Sequence, residues 1–308
     1  MDQDVVSTAQ EIRDMKIRGA GRIARAGARA VGTFAKNYTG CDYTDFRKDL
    51  DEAMRVLLDS RPTAVSLWNG VQAAARGVNQ VDRVDDAREL LIRNAEEFVK
   101  ESEEAVRTIA RIGAKRVEDG DVIMTHCNSS VAIGVIAEAH RQGKDIKVFA
   151  TESRPWRQGI LTVNDLAKEG VDTTLIIDSA VRLVMKDVDK VFVGADTITS
   201  QGDLVNKIGT SQVAMAAHEA RVQFYVCSET YKFSPLSLQG DLVKIEEREI
   251  SEVVRPGEIP DSVKVYNPVF DVTPSYYIDG IITEVGLISP GSVYDVMQRK
   301  FGTELMTE

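Results

Sequence analysis

Cysteine, histidine and long apolar runs are what this sequence has least of. Its three cysteines, Cys41, Cys127 and Cys227, stand far apart with no CxxC pair, so neither a disulfide framework nor a cysteine-built zinc centre is expected. The three histidines, His126, His140 and His218, form no HxH or HExxH pattern, and no metal ligand set is expected from them. Charge interrupts every apolar stretch well short of the roughly 20 residues that a membrane-spanning helix needs. The first thirty residues carry acids and no apolar segment followed by a cleavage site, so the expected location is the cytoplasm. Positive charge is also in deficit, with Lys+Arg 38 against Asp+Glu 48 and a net charge of −10. That balance argues against nucleic acid and anionic membrane as partners. No GxGxxG follows an apolar run, which removes the dinucleotide fingerprint, and there is no repeat or low-complexity tract.

What is present divides into two halves. The 308 residues suit one large domain or two smaller ones, and the pattern changes near residue 117. Residues 1–117 read as helical. Val5, Val6, Ala9 and Ile12 recur at helical spacing, and Thr44 is expected to cap a segment whose Phe46, Leu50, Met54, Leu57 and Leu58 make one apolar face. A third helix is expected from Pro62, placed in its first turn, to about Gly77. A long charged one follows from Asp85 to Arg116. From Gly120 short β-rich runs alternate with helical stretches: DVIMTH, IKVFAT, TTLII, KVFVGA and VQFYVCS. Five such alternations predict an α/β fold over residues 118–308, a Rossmann-like parallel sheet with helices on both faces. Ligands in such sheets bind outside the carboxyl ends of the strands.

The residues just after the runs are therefore the candidates for chemistry. Cys127, in THCNSS, sits at a strand-to-helix turn where backbone N–H groups and the helix dipole favour a thiolate base or nucleophile. A small buried apolar side chain is the alternative of equal weight, and His126 reads as an assisting group or a packed neighbour. Asp196, in VFVGAD, is a general acid if its apolar surroundings keep the proton, or else a cap or turn residue. The polar, glycine-bearing stretch that follows puts Asn206 and Lys207 before the next helix, either a phosphate-binding arrangement or a surface turn. TESRPWRQG adds Glu152, Arg154, Arg157 and Gln158, CSETYKFS adds Glu229 and Lys232, and the helical half adds Arg18 and Arg61. Recurrence of cations at element boundaries in an acidic chain suggests one local cationic pocket for a phosphorylated small molecule.

Taken in order, RGAG (Arg18, Gly19, Ala20, Gly21), RPTAVSLWNG, THCNSS, ESRPWRQG, GADTITSQGDLVNKIGT and NPVFDVTP span nearly the whole chain. The series resembles the group shared by methylthioribose-1-phosphate isomerases, archaeal ribose-1,5-bisphosphate isomerases and the regulatory subunits of translation initiation factor 2B. Gly21, where the methylthioribose enzymes usually carry proline, makes it most similar to the bisphosphate branch, while Trp68 replaces an expected proline. The resemblance implies that Cys127 is the proton acceptor and Asp196 the proton donor in converting ribose 1,5-bisphosphate to ribulose 1,5-bisphosphate in AMP and nucleotide salvage. It implies substrate contacts from Arg18, Gly19, Ala20, Gly21, Arg61, Ser129, Ser130, Val131, Gln158, Asn206, Lys207 and Lys232, with no metal or cofactor. It also implies a homodimer or a hexamer of three dimers, and AMP as a candidate effector. A methylthioribose-1-phosphate isomerase and a non-catalytic regulatory subunit are the two alternatives. NPVFDVTP is expected to shape the pocket or a dimer contact, without a catalytic role.

Overall fold

Apolar residues at helical spacing organise the N-terminal part of the chain. A computed structural model describes residues 2–235, 237 and 245–301, and the chain divides into two compact units, 1–105 and 106–308. The first unit holds α1 (Gln3–Arg13), α2 (Ala20–Asn37), α3 (Tyr43–Asp59), α4 (Val65–Ala75) and most of α5 (Val84–Ala114). Its core gathers Val5, Ile12, Val31, Phe46, Leu50, Leu57, Leu67, Val71 and Leu91. Burying each such side chain stabilises the unit by roughly 1.5–3 kcal/mol. The densest seam is α2 against α4, where a Cβ on Gly70 would lie 2.6 Å from the carbonyl oxygen of Ala24. Only glycine lets the two backbones approach that closely.

Several helix boundaries differ from the sequence reading. The cap of α3 is Asp42, whose carboxylate accepts from Asp45 N at 2.9 Å, so Thr44 lies inside the first turn. Helix α4 starts at Val65 rather than Pro62, because the chain first closes a tight turn in which Ala64 N donates to Arg61 O at 3.0 Å. Helix α2 is not among the helices expected from the sequence; it buries a face of mostly small residues around Ile23, Val31 and Phe34. The helical pattern extends past the division between the units: α5 continues to Ala114, and its last turns carry Ile109 and Ala114 into the core of the second unit, together with Val117 just beyond the helix. The division at 105/106 therefore falls within a helix, twelve residues before the change of sequence pattern that suggested 117/118.

The second unit runs β1 (Val122–Thr125), α6 (Ser130–Arg141), β2 (Lys147–Thr151), α7 (Gly159–Lys168), β3 (Asp172–Ile176), α8 (Val181–Val184), β4 (Lys190–Val193), β5 (Thr197–Thr199), β6 (Leu204–Lys207), α9 (Thr210–Ala220), β7 (Gln223–Cys227), β8 (Phe233–Ser234), β9 (Phe270–Thr273), β10 (Gly280–Thr283), β11 (Gly286–Ile288) and α10 (Val293–Phe301). The main sheet has the order β11-β10-β7-β4-β1-β2-β3. All its neighbours pair in parallel except β10 with β11. Alternate residues of its strands feed two cores: Ile123, Phe192, Tyr225, Cys227 and Ile282 pack with α6 on one face, and Met124, Val191, Val193, Phe224, Val226 and Ile281 with α9 on the other. This is the Rossmann-like parallel sheet, covered on both faces, that the five apolar runs predict.

Strand order reverses between β1 and β4, because β2 and β3 extend the sheet to one side and β4, β7 and β10 to the other. The carboxyl ends of β1 and β4 thus flank the crevice where such sheets bind ligands. Two features depart from the sequence reading. The run TTLII forms an edge strand with Leu175 exposed rather than one buried on both faces. The polar stretch after Asp196 is no loop but the hairpin β5–β6, part of a second sheet of order β8-β5-β6-β9. Its side chains are buried by that sheet, which polarity alone does not reveal.

Candidate active site

The loop after β1 brings Cys127 to the edge of the sheet in a backbone conformation that side chains other than glycine's disfavour, with φ +67°. Such a conformation costs on the order of 1–2 kcal/mol and persists only where neighbours hold it. Two hydroxyls do so. Cys127 N–H donates to Ser153 Oγ at 2.8 Å, and Thr162 Oγ1, from α7, donates to the Cys127 carbonyl at 2.6 Å. Asn128 Nδ2 donates in turn to Thr162 Oγ1 at 3.1 Å. Ser153 is itself fixed, because its N–H donates to Asp178 Oδ1 at 2.8 Å at the end of β3.

The thiol that this clamp presents is protonated at rest. Burial pushes Cys127 up to about 11, opposed by the Lys207 ammonium and the Asn128 N–H and reinforced by the Asp196 and Asp178 carboxylates. The expectation of a helix-stabilised thiolate is corrected accordingly. Helix α6 begins at Ser130 with Ser129 as its cap, so Cys127 stands outside its first turn and desolvation outweighs the dipole. Those same charges place Lys207 and Asp196 within electrostatic reach of the sulfur.

Asp196 follows β4 directly across the crevice. Its N–H donates to Val205 O at 3.1 Å, which docks it on the β5–β6 hairpin. The hairpin register sets Thr197 opposite Val205 and so carries Asn206 and Lys207 back alongside Asp196. Both are buried, with Lys207 Nζ 5.4 Å from the centre of the Phe270 ring. Asn206 Nδ2 donates to Thr210 Oγ1 at 3.0 Å, and that hydroxyl donates to the Lys207 carbonyl at 2.6 Å. Two of the N–H groups beyond Lys207, those of Gly209 and Ser211, are taken by a carboxylate. Asp271, from the NPVFDVTP stretch, accepts from Gly209 N at 2.8 Å and from Ser211 N and Oγ. Burial raises its pKa against those donors, which lower it. Asp271 was not legible as a helix cap, since some sixty residues separate it from α9.

The remaining candidates of this unit ring the same strand ends. Ser129 caps α6, accepting from Ala132 N at 3.4 Å, and Ser130 and Val131 form the first turn. Gln158 stands immediately before α7 with a buried Oε1. Lys232 lies in the turn after β7, buried and 2.8 Å from Glu229 Oε2 as a close ion pair. Burial would raise the Glu229 carboxyl, but the Lys232 ammonium and the Tyr231 hydroxyl outweigh it and hold the group below the usual carboxylate range. Among the described residues no group of three or more His, Cys, Asp or Glu side chains could hold a metal. No helix of the described residues is long and apolar enough to cross a membrane.

In the first unit, Gly19 caps α2 in a positive-φ conformation with no side chain on the helix start, leaving Ala20 and Gly21 as the first turn. Arg61 follows α3, and its Nη1 lies 3.5 Å from Met15 Sδ, three residues before Arg18. RGAG and RPT are therefore neighbours within that unit.

Residues 16–290 match the model of the initiation factor 2 subunit family. The chain belongs to that family. Within it, the chain is 47% identical to the ribose 1,5-bisphosphate isomerase of Methanocaldococcus jannaschii over 98% of this chain and 97% of that one. It is 50% identical to the enzyme of the same name from Archaeoglobus fulgidus, over 97% and 94% of the two chains. A crystal structure of the Pyrococcus horikoshii translation initiation factor eIF-2B superposes with a TM-score of 0.81 at 35% identity, covering 94% of this chain and 98% of that one. Family members thus include both enzymes and initiation-factor subunits on one fold.

Proposed function

We propose that this chain is a ribose 1,5-bisphosphate isomerase producing ribulose 1,5-bisphosphate in AMP and nucleotide salvage. The observation that carries the reading is the pairing, across the strand-order reversal, of a thiol after β1 with a carboxyl after β4, with buried Lys207 beside them. Near full-length similarity to enzymes of that name supports it.

The substrate poses a specific problem. Its anomeric oxygen carries a phosphate, so the furanose opens only when the bond from C1 to the ring oxygen breaks. Asp196, protonated, gives its proton to the departing ring oxygen, while Cys127, as thiolate, takes the proton from C2. The C2–H electron pair becomes the C1–C2 double bond as the ring bond breaks. The Cys127 thiol then returns a proton to C1, and the C2 hydroxyl gives its proton to the Asp196 carboxylate as the ketone forms. One proton thus cycles at each group, and no electron leaves the sugar. Because the thiol rests protonated and Asp196 faces it as a carboxylate, net transfer of that proton from Cys127 to Asp196 arms the base and the acid together before turnover, and the Lys207 ammonium favours the thiolate.

Two phosphates require separated cations. Lys207 with Asn206 and Lys232 would take positions at the sheet edge, with Gln158, Ser129, Ser130 and Val131 offering neutral contacts. Arg18, Arg61 and the helix start at Gly19, Ala20 and Gly21 supply further anion-binding groups. The chain works in the cytoplasm as a homodimer, or three dimers in a hexamer, with AMP as effector. Exposed Leu175 in the β3 edge strand and exposed Ile177 just after it support self-association. Incubating the purified protein with ribose 1,5-bisphosphate and identifying the product by carbon NMR tests the proposal, and a new ketone resonance is the expected result. Binding of the sugar without turnover would favour a regulatory subunit instead.

A further inference from the structure

Behind the Cys127 clamp lies a line of buried side chains that the proposed chemistry does not use. Thr151 and Ser153 are fully buried and His126 nearly so. His126 Nε2 lies 2.9 Å from the Ile208 carbonyl and Nδ1 lies 2.6 Å from Thr151 Oγ1. Thr151 Oγ1 lies 3.2 Å from Ser153 Oγ, the acceptor of the Cys127 N–H.

The direction of every hydrogen in this line follows from its ends. A carbonyl only accepts, so Nε2 carries the ring hydrogen and donates to Ile208. Burial, together with the Lys207 ammonium, pushes His126 below its ordinary pKa, against the Ile208 carbonyl and the Asp178 carboxylate, and the ring stays neutral. Nδ1 must then accept, and Thr151 at 2.6 Å is its donor in preference to Ser153 at 3.5 Å. Having spent its hydrogen, Thr151 Oγ1 accepts from Ser153, which leaves the Ser153 oxygen free to accept the Cys127 N–H. The far end of the line is Ile208, the residue after Lys207. The ring lies close against Gly209, where an added Cβ would come 3.0 Å from its Cε1.

We propose that His126 is a positioning residue: as a neutral, Nε2-protonated ring it fixes the strained Cys127 backbone through Thr151 and Ser153 and the Lys207 turn through Ile208. One buried ring thereby sets the base and the cation beside it, without touching substrate. The inference rests on Cys127 being the base, and its test carries one readout that does not depend on turnover.

Thr151→Val keeps the shape and removes the hydroxyl, and Thr151→Ser restores it. Steady-state kinetics on ribose 1,5-bisphosphate, peptide-resolved iodoacetamide alkylation of Cys127 at pH 8, and thermal melting are measured on the full chain. The valine variant is expected to lose at least tenfold in kcat with KM within twofold, while Cys127 alkylates at least threefold faster as the clamp loosens toward water. The serine variant should return both readouts to within threefold of wild type. A purely structural role would lower the melting temperature and leave Cys127 alkylation in the folded protein unchanged, which would overturn the proposal, as would a valine variant within twofold of wild type in both readouts. If Thr151→Val does not fold, Ser153→Ala, which removes only the acceptor of the Cys127 N–H, must give the same slower turnover and faster alkylation. Wild-type protein with no activity on the sugar would sink the isomerase reading, while the alkylation ratios, measured also on His126→Phe, which must alkylate at least threefold faster if the ring holds the line, would still decide the role of His126.

Discussion

A Cβ atom on Gly194 would lie 2.3 Å from the Oγ and 2.5 Å from the Cβ of Ser129. The residue after β4 and the cap of α6 are thus in contact across the strand-order reversal, and this contact sets how near the Asp196 loop comes to the Cys127 loop. Gly194→Ala is expected to push the two loops apart, costing about 1–3 kcal/mol of stability as other overpacked sites do. Turnover should fall with it. In a Ser129→Gly background the obstructing atoms are gone, the next neighbour being the Ser129 Cα at 3.8 Å. Denaturant melts of the four-member cycle should show Gly194→Ala nearly neutral there. Equal losses in both backgrounds would place the cause elsewhere.

Separate proton transfers at Cys127 and Asp196 predict a specific kinetic pattern. Cys127→Ser keeps the size and removes the ionisable thiol, so kcat should drop by roughly two or more orders of magnitude. Asp196→Asn cannot donate a carboxylic proton, and ring opening should fail while the sugar still protects the protein against heat. Because both groups act in one obligatory sequence, the double variant should be scarcely slower than the worse single one. Near-native turnover by either single variant would remove that residue from the mechanism.

Much of this architecture was legible in the sequence for a simple reason. Strands buried on both faces must be apolar at every position, so VIMT, KVFAT, KVFV and QFYVC stand out from the amphipathic helices between them. Cys127 and Asp196 were legible as candidates because ligands in such sheets bind just past those runs. The hairpin β5–β6 was not, since TIT and LVNK are buried by a second sheet whose other strands come from later in the chain. Nor was the protonated state of Cys127, because burial is a property of the packed molecule. Ser153, Thr162 and Asp271 were hidden for the same reason: each acts on a backbone group that only the tertiary fold brings to it.

The thiol of the free protein should report its surroundings directly. With a pKa of about 11, alkylation of Cys127 should climb about tenfold per pH unit from pH 7 and level off only near 11. Lys207→Met removes the cation that lowers this value, so alkylation at any given pH below 11 should be slower still. Mass spectrometry separates this peptide from those of exposed Cys41 and buried Cys227. A midpoint near the ordinary cysteine value, or faster alkylation in Lys207→Met, would contradict the electrostatic picture of the site.

Arg61 tests the contribution of the first unit. It is half-buried, and its guanidinium is set beside RGAG through Met15. Charge-assisted bonds to a phosphate are worth more than a surface charge, so Arg61→Ala should raise KM for the bisphosphate at least tenfold while the melting temperature barely moves. A variant that melts early and keeps its KM would make Arg61 structural.

The preference for a bisphosphate over a monophosphate is the central claim, and kcat/KM for ribose 1,5-bisphosphate against methylthioribose 1-phosphate, measured on the same preparation, tests it most directly. Two cationic positions at the sheet edge, Lys207 and Lys232, should favour the bisphosphate by at least a hundredfold, about 2.7 kcal/mol of transition-state binding. A ratio near one, or a preference for the methylthio sugar, would contradict the assignment.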